Sequence, residues 1–483
     1  MRRLTTQRTL LIVLFVMLFA MAARVEQDSD TWWHIASGEV LLDTGAPIKA
    51  DPFSHTFAGE YRVHYEWLAQ GVIALAWRLG DGAALTLYTA ILATAGLAAL
   101  YFACSGSPYL RAFLLVAAAA ASAVFWSARP QMFSYVFSAV TLALVYPVVR
   151  GGNPRRLLWL LPLMLVWAQM HVGWSYGFII LACAVMGEGL LWVFRPAQRD
   201  AAYRRGLWLA GVSIACGALL LINPYGLDLL RVPFETVSIG ALTQYINEWL
   251  PPNLLQTEVL PFTALLVISA VVLILNLRRT RPFELILLLV TGLLAVRAAR
   301  NISFFALAAI PVLSVYIDAF LTRRGWTFTA ATRVKPLAGA LNLLLIGLIV
   351  LVALLKVYLS LDPRTIAEVR ESRFPVEAVR VMQAENTPPT LFNSYNWGGY
   401  LMANAPEFPV FVDGRTDLYR DFVLTYLDVA GAQGDWRSVL DNYGVHTVLL
   451  EARAPLVSAL RQEPGWRVLY EDALAVLLIE DES

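Results

Sequence analysis

For its first three quarters the chain alternates long hydrophobic runs with short polar connections, and the runs have no strand-like period of two. The first is LLIVLFVMLFAMAA, preceded by Arg2, Arg3 and Arg8. Others follow at about Trp67 to Leu79, Ala83 to Ala103, Ala112 to Trp126, Met132 to Val149, Leu157 to Met170, Trp174 to Phe194 and Gly206 to Ile222. The last four cover Val259 to Leu275, Phe283 to Val296, Ile302 to Phe320 and Leu337 to Leu359. A perpendicular span needs ~20 residues, so the shorter runs must extend into their flanks; the pattern predicts a polytopic α-helical membrane protein of about 11 to 13 spans. The first run reads as a span or as a secretory signal with an AxA-like site at Ala20 to Ala22; the many spans behind it favour an uncleaved anchor.

From Asp362 the pattern changes. Charges and turn residues return, and short apolar stretches replace the long ones. PTLFNS, PVFVDGR, HTVLLEA, WRVLYED and ALAVLLI read as strands; VEAVRVMQAE, WRSVLDNYG and PLVSALRQE read as helices, with Gly444 placed as a helix C-cap. The expected organisation is a transmembrane domain over residues 1–361, with a first outer loop at 25–66, and a soluble extracytoplasmic α/β domain over 362–483. The latter has no GxGxxG or Walker-type loop, so nucleotide binding is not assigned to it.

Composition sharpens the class. Of 483 residues 58% are hydrophobic and 15% charged, against roughly 25% charged in soluble domains. A net charge of +1, without a basic stripe, gives no reason to expect nucleic acid. Cys104, Cys183 and Cys216 lie in apolar runs without CxxC spacing, which argues against a disulfide framework or thiolate zinc site. Arginines and lysine mark alternate loops, at Arg150, Arg155 and Arg156; at Arg195, Arg199, Arg204 and Arg205; at Arg278, Arg279 and Arg281; and at Arg323, Arg324, Arg333 and Lys335. By the positive-inside rule these loops and the N-terminus are cytoplasmic, leaving everything after Leu359 outside a cell or plasma membrane. Four apolar runs then lie between the outer Glu26–Glu66 segment and the inner Arg150 loop, where an odd number of crossings is required. Either Trp67 to Leu79 or Ala112 to Trp126 must fail to cross, or a boundary lies elsewhere.

The polar segment Glu26 to Glu66 concentrates chemistry that the rest of the membrane region lacks: Asp28, Asp30, His34, Asp51, His55, His64 and Glu66. If Asp30 to Glu39 is helical, Asp30 and His34 share a face at i, i+4, and Trp32 and Trp33 can lie at the lipid headgroups. Charge beside apolar spans is costly and usually functional, which singles out Asp30 with His34. Asp51, in DPFS, reads instead as a solvated turn residue whose substitution by Asn would be close to silent. Arg297 and Arg300, at i, i+3 on the rim of a late span, could be snorkelling anchors or a bidentate clamp for a lipid phosphate. His171 in QMHVGW and Glu248 in NEWLPP fall on the same side; an interfacial histidine and a turn charge are the plainer readings of those two.

Acids directly after the first span, many further spans, an arginine pair on a late outer rim and a terminal α/β domain together resemble the membrane-integral glycosyltransferases of the GT-C superfamily. Protein mannosyltransferase-like and lipid A aminoarabinose transferase-like members are closer than oligosaccharyltransferase. DGRTD after NSYNWGGYL faintly resembles the acceptor region of oligosaccharyltransferase catalytic subunits, but the order Asn396, Trp397, Gly398, Gly399, Tyr400 lacks that motif's own Asp. The resemblance implies an inverting, hexosyltransferase-type transfer from a polyprenyl-phosphate-linked sugar to a hydroxyl of a lipid, glycan or protein acceptor on the outer face. It implies Asp30, then Asp28, as base, with His34 or His64 orienting it or binding the sugar. Arg297 and Arg300 would sit on the phosphate, with Glu66, His171 and Glu248 in the substrate region. Metal-dependent members take further acids from a second outer loop, and the connections SGSPY and SARPQ contain none. No metal ligands are therefore assigned, and a divalent cation stays open as a cofactor. Two other classes fit a polytopic chain: a transporter or flippase for a lipid-linked sugar, which calls for ionisable residues at mid-bilayer depth and symmetry between halves, and a non-catalytic protein that binds an envelope partner.

Overall fold

The computed structural model describes residues 5–326 and 336–481; Arg2, Arg3, Arg333 and Lys335, used above to orient the chain, lie outside the described residues. Helix α1 (Thr6–Ala22) begins where the Thr5 hydroxyl accepts the Arg8 N–H, and α2 (Asp30–Thr44) ends on Gly45 at φ +68°. Then come α3 (Trp67–Ala103), α4 (Pro108–Ser122), α5 (Gln131–Val149), α6 (Leu160–Met170), α7 (Trp174–Phe194) and α8 (Arg199–Leu219). Two short helices, α9 (Val232–Ser238) and α10 (Gly240–Tyr245), precede α11 (Leu260–Asn276), α12 (Pro282–Arg297), α13 (Ile302–Arg323) and α14 (Pro336–Leu361). Six of the described helices are long and apolar enough to cross a membrane, and those at Gln7–Ala22 and Leu260–Asn276 are shorter apolar ones.

The two apolar runs Trp67 to Leu79 and Ala83 to Ala103 meet at a break inside α3. Its backbone breaks at Gly80 and Asp81, and Asp81 sits at φ +51°, a conformation that non-glycine residues adopt at a cost. The Asp81 carboxylate caps the Gly82 N–H at 2.5 Å and pairs with Arg370 at 2.6 Å. Before the break, Arg78 pairs with Glu39 and Asp43 of α2. Trp67 to Leu79 therefore lies along α2, set apart by the break from the stretch of α3 that begins at Gly82.

The helix connections gather at two ends. At one, Ser314 accepts the Ser105 N–H at 2.8 Å, Arg150 pairs with the fully buried Glu284 at 2.5 Å, and Arg205 pairs with Glu188 at 2.7 Å. At the other lie the segment between α1 and α3, the α4–α5 connection, His171, the stretch between α8 and α11, and the C-terminal region.

That region comprises α15 (Pro363–Arg373), α16 (Val376–Ala384), α17 (Gly398–Asn404), α18 (Thr416–Tyr419), α19 (Phe422–Ala430), α20 (Trp436–Asn442) and α21 (Pro455–Leu460). Its sheet contains β1 (Leu391–Asn393), β2 (Thr447–Glu451), β3 (Trp466–Glu471) and β4 (Ala475–Glu480) in the order β1-β2-β4-β3, with β1 parallel to β2 and the other pairs antiparallel. Gly444, at φ +61°, follows α20 as expected. The expected strand PVFVDGR is extended but joins no strand of this sheet. Its backbone is used elsewhere: Val410 exchanges bonds with Phe53 and His55, Phe411 accepts from the Thr56 hydroxyl, and the Asn393 amide spans Phe411 and Val412.

The C-terminal region is packed against α2. A side chain at Gly399 would come within 3.0 Å of the Ser29 carbonyl and the Trp33 amide, so only glycine lets α17 approach this closely. Trp32 is buried at 6% exposure in a cluster with Trp77, Phe374 and Tyr400, with the Arg370 guanidinium over its ring. Trp33 is buried at 5%. Neither tryptophan meets the lipid headgroups expected from the sequence, because the C-terminal region covers both.

Asp51 is also unlike its sequence reading. It caps a turn, accepting from the Phe53 and Ser54 amides and the Ser54 hydroxyl, but its carboxylate is fully buried against Arg415 at 2.5 Å. Arg415 in turn grips Asp413 through Nε and Nη2 at 2.8 and 2.6 Å, and the Tyr419 hydroxyl donates to Asp413 at 2.7 Å. Burial alone would raise the Asp413 carboxyl; Arg415 overcomes this and holds it below its ordinary value.

Candidate active site

Between the bundle and the C-terminal region lies a cavity of about 540 Å³. At its centre is Arg129 of the α4–α5 connection. Its Nη1 lies 3.2 Å from Asp28 and 3.4 Å from Glu248, and its Nη2 lies 3.0 Å from Asp30. The connection is fixed by local bonds: Arg129 N–H donates to Ser127, and the Arg129 carbonyl accepts from Met132 N–H and the Tyr88 hydroxyl. Glu26 ties the same connection to the first loop by accepting the Ala128 N–H. Glu248 reaches onward to Arg300 at 3.3 Å, and the Arg300 guanidinium stacks 4.2 Å above the Trp249 ring. Acids and arginines thus alternate from Asp30 through Arg129 and Glu248 to Arg300.

Asp30 opens α2 and keeps 23% of its side chain exposed to the cavity. Burial pushes its carboxyl up to about 7; Arg129 works against this, while Asp28 and Glu248 add to it. For Glu248 burial acts upward too, but Arg129 and then Arg300 prevail and hold it below its ordinary value. Gly414, from the Asp413–Arg415 turn, closes the cavity over Asp30: a Cβ there would fall 2.3 Å from Asp30 Oδ1.

His34 lines the cavity on the same face as Asp30, yet its partner is Gln70, whose amide lies 3.3 Å from Nδ1. Burial, then Arg129 and Arg62, keeps it well below its ordinary value and hence neutral. His171 is fixed more tightly. Its Nδ1 accepts the Gly173 N–H at 2.9 Å and lies 2.8 Å from the Ser134 hydroxyl, which accepts the Trp167 indole N–H at 2.8 Å. Burial and the charges of Arg300 and Arg129 push it down to about 3, so the neutral ring carries its proton on Nε2.

A second group surrounds Arg62, which pairs with Glu66 at 3.1 Å and Asp417 at 2.9 Å and faces the Trp33 ring. Burial pushes Glu66 up to about 7 against the pull of Arg62. His64 stands behind the wall: Nδ1 accepts from Arg62 at 3.2 Å, and His64 does not line the cavity. Tyr395, Asn396, Thr416, Asp417 and Glu451 supply the roof from the C-terminal region.

Of the residues singled out in the sequence, Asp28, Asp30, His34, Glu66, His171, Glu248 and Arg300 meet in this cavity. Arg297 does not. It is exposed at the end of α12, because the extended backbone of Ala298 ends the helix between it and Arg300, which lies in a separate 3-10 turn over Ala299–Asn301, and this breaks the i, i+3 face that the sequence suggested. Arg129 and Arg62 escaped the sequence reading, which searched SARPQ for acids; an arginine flanked by apolar runs was the signal present.

Two cavities adjoin the first. One, of about 60 Å³, shares His171, Glu248 and Arg300 and continues between Trp126, Met132, Tyr135, Phe304 and Leu307. The other, of about 640 Å³, shares Arg62, Thr236 and Asp417 and is bordered by Glu60, Asp228, Arg231, Glu235 and Arg420. One flank is apolar, the other charged.

The carboxylates do not fit a metal ion. Among the described residues no group of three His, Cys, Asp or Glu side chains is disposed to share one, and Asp28, Asp30 and Glu248 converge on a guanidinium.

The chain as a whole superposes on solved structures. The oligosaccharyltransferase AglB of Archaeoglobus fulgidus, in complex with an inhibitory peptide and a dolichol-phosphate, superposes with a TM-score of 0.59 at 13% identity, over 97% of this chain and 74% of that one. Its apo form gives 0.58 at 14% identity, over 92% and 70%. ArnT of Cupriavidus metallidurans bound to undecaprenyl phosphate gives 0.48 at 13% identity, over 97% and 96%. No family model and no curated sequence matches the chain. The likeness to AglB establishes the fold alone: a bundle of long apolar helices of the kind that crosses a membrane, carrying a small sheet-containing region after its last long helix.

Proposed function

We propose that the protein is an integral-membrane glycosyltransferase that moves a sugar from a polyprenyl-phosphate carrier to an acceptor hydroxyl. The observation that carries this reading is the charge series Asp30, Arg129, Glu248, Arg300, which runs from a cavity-facing carboxylate to the mouth of an apolar slot. Asp30 takes the proton of the acceptor hydroxyl as its oxygen attacks the anomeric carbon. The bond from that carbon to the phosphate oxygen breaks, and the phosphate leaves with the electron pair. Attack opposite to the leaving group inverts the anomeric centre. Arg300 and the Nε2–H of His171 face the developing charge on the phosphate, while the carrier's hydrocarbon lies toward Tyr135, Phe304 and Leu307. The charged cavity beyond Arg62 and Asp417 suits a polar acceptor. AglB, similar in fold, was solved in complex with a dolichol-phosphate, which supports a lipid-phosphate ligand for this chain.

The residues that meet in the cavity lie on the extracytoplasmic side in this reading, with residues 362–483 as an outer domain and the N-terminus in the cytoplasm. Cysteines introduced for Glu60 and Gln433 in sealed cells should react with an impermeant thiol reagent, and one introduced for Asn153 should not; the reverse pattern would invert the orientation.

The direct test is release of radiolabelled sugar from a polyprenyl-phosphate donor by the purified full-length protein. Transfer to an acceptor is the expected result. Movement of intact labelled donor across vesicle bilayers, with its sugar still attached, would instead mark a transporter.

A further inference from the structure

We propose that Arg129 occupies the position a divalent cation would otherwise take in this site, neutralising Asp28, Asp30 and Glu248 so that Asp30 acts as a base without metal. The inference rests on the glycosyltransferase reading for Asp30's role, and on geometry alone for the exclusion of metal.

Three carboxylates that share one small volume repel one another and resist joint ionisation unless a cation sits between them. A bound calcium or magnesium ion would draw their oxygens to roughly 2.0 to 2.6 Å from a single point. Here the oxygens are spread around a planar fork instead, at 3.4, 3.2 and 3.0 Å from two different nitrogens. A guanidinium suits this role because its five donors serve several acceptors in fixed directions and it keeps its charge at every physiological pH. It also cannot exchange. The backbone of Ser127 to Met132 and the Tyr88 hydroxyl pin the arginine, and its side chain is 15% exposed.

The charge count agrees. Asp28, Asp30 and Glu248 carry three negative charges, and Arg129 with Arg300 two positive ones, leaving a surplus of one negative charge with which to receive a proton. A guanidinium offers no open coordination position, so it holds the carboxylates but does not polarise substrate as a Lewis acid. That separates the duties within the site: Arg129 positions and ionises Asp30, and Arg300, with the cavity-facing side of its guanidinium, is left to meet the phosphate. Arg129 is thus a positioning residue.

The test uses Mn²⁺ as probe and needs no turnover. Wild-type full-length protein in detergent, titrated with Mn²⁺ and read by electron paramagnetic resonance, should show no binding that depends on Glu248. Uptake of about one equivalent that disappears in Glu248→Gln would overturn the proposal, since it would mean the carboxylates accept a metal despite Arg129. This arm reads equally well if no transfer is ever detected, so its failure is distinct from failure of the glycosyltransferase reading. Where transfer is measured, it should be unchanged by EDTA. Arg129→Lys should keep the midpoint of the acid limb of the pH–rate profile within about half a unit of wild type, and Arg129→Gln should move it upward by about one unit or more, because Arg129 favours the ionised carboxylate. An unmoved limb in a folded Arg129→Gln, checked by melting temperature, would equally contradict the assignment.

Discussion

Two clusters of acids and arginines are buried in the same half of the molecule, and what surrounds each decides what it can do. In the Asp51–Arg415–Asp413 cluster every charged side chain is 0% exposed, every guanidinium nitrogen of Arg415 has a carboxylate within 2.8 Å, and none of the three residues lines the cavities described above. In the Asp28–Asp30–Arg129–Glu248–Arg300 cluster the contacts are longer, at 3.0 to 3.4 Å, and 15 to 24% of each side chain faces a cavity. The first is closed and ties the segment after α2 to the C-terminal region. The second is open, with a carboxylate whose proton affinity burial has raised into the physiological range. Similar residues are therefore closed off for cohesion in one place and, in the proposed mechanism, left open for chemistry in the other.

The comparison can be broken at either cluster. The largest effect on stability is expected at the closed one, where Arg415→Met leaves Asp51 and Asp413 buried without a cation and should cost about 3 to 5 kcal/mol, read from denaturation in detergent. Asp51→Asn should destabilise in the same direction by less, since the amide still bonds. Transfer per folded molecule should stay near wild type in Asp51→Asn; a drop there at unchanged stability would mean the closed cluster takes part in the chemistry.

At the open cluster, Arg300→Ala should reduce transfer by roughly ten- to a hundredfold and Arg300→Lys by less, because lysine keeps the charge and loses the planar fork. Near-wild-type rates in both would leave Arg300 a partner of Glu248 and nothing more. Arg297→Ala, in contrast, should be silent. Gly414→Ala places a methyl 2.3 Å from Asp30 Oδ1 and should slow transfer several-fold, as small misplacements of a reacting group do, with a change in melting temperature of only a few degrees.

The smallest and most diagnostic effect is in the pH profile. In the proposed mechanism Asp30 acts as its carboxylate, and burial pushes it up to about 7, so transfer should rise with pH through that value and flatten above it. Glu66 is pushed to a similar value. Glu66→Gln should leave the limb in place; its disappearance in Glu66→Gln would move the role of base to Glu66.

Much of this was legible in the sequence because membrane insertion imposes long apolar runs that no tertiary contact can disguise. The expectation that Asp28, Asp30, His34, Glu66, His171, Glu248 and Arg300 share one side came from the alternation of arginine-rich loops, although the count of crossings did not close. What stayed hidden was pairing. Asp51 reads as a solvated turn because its partner, Arg415, is 364 residues away. The break in α3 was marked by Gly80, Asp81 and Gly82, where the apolar runs divide; what stayed hidden is that Asp81 pairs with Arg370 of α15. The strand-like PVFVDGR is drawn out of the sheet by bonds to the Phe53–Thr56 segment, and Arg297 parts from Arg300 through the single extended residue Ala298. Periodicity reports which face is apolar, and nothing in it reports which distant charge comes to meet a buried acid.

The central claim, that the open cluster does chemistry and the closed one does not, is tested most directly by measuring sugar transfer in Asp30→Asn and Asp51→Asn side by side, at pH 8, normalised to folded protein. Asp30→Asn is nearly isosteric and cannot take the acceptor's proton, so its transfer should fall by ~10² to 10⁴ fold with melting temperature close to wild type. Asp51→Asn should show the opposite pattern, lower stability with transfer per folded molecule intact. Full transfer by a folded Asp30→Asn would contradict the account.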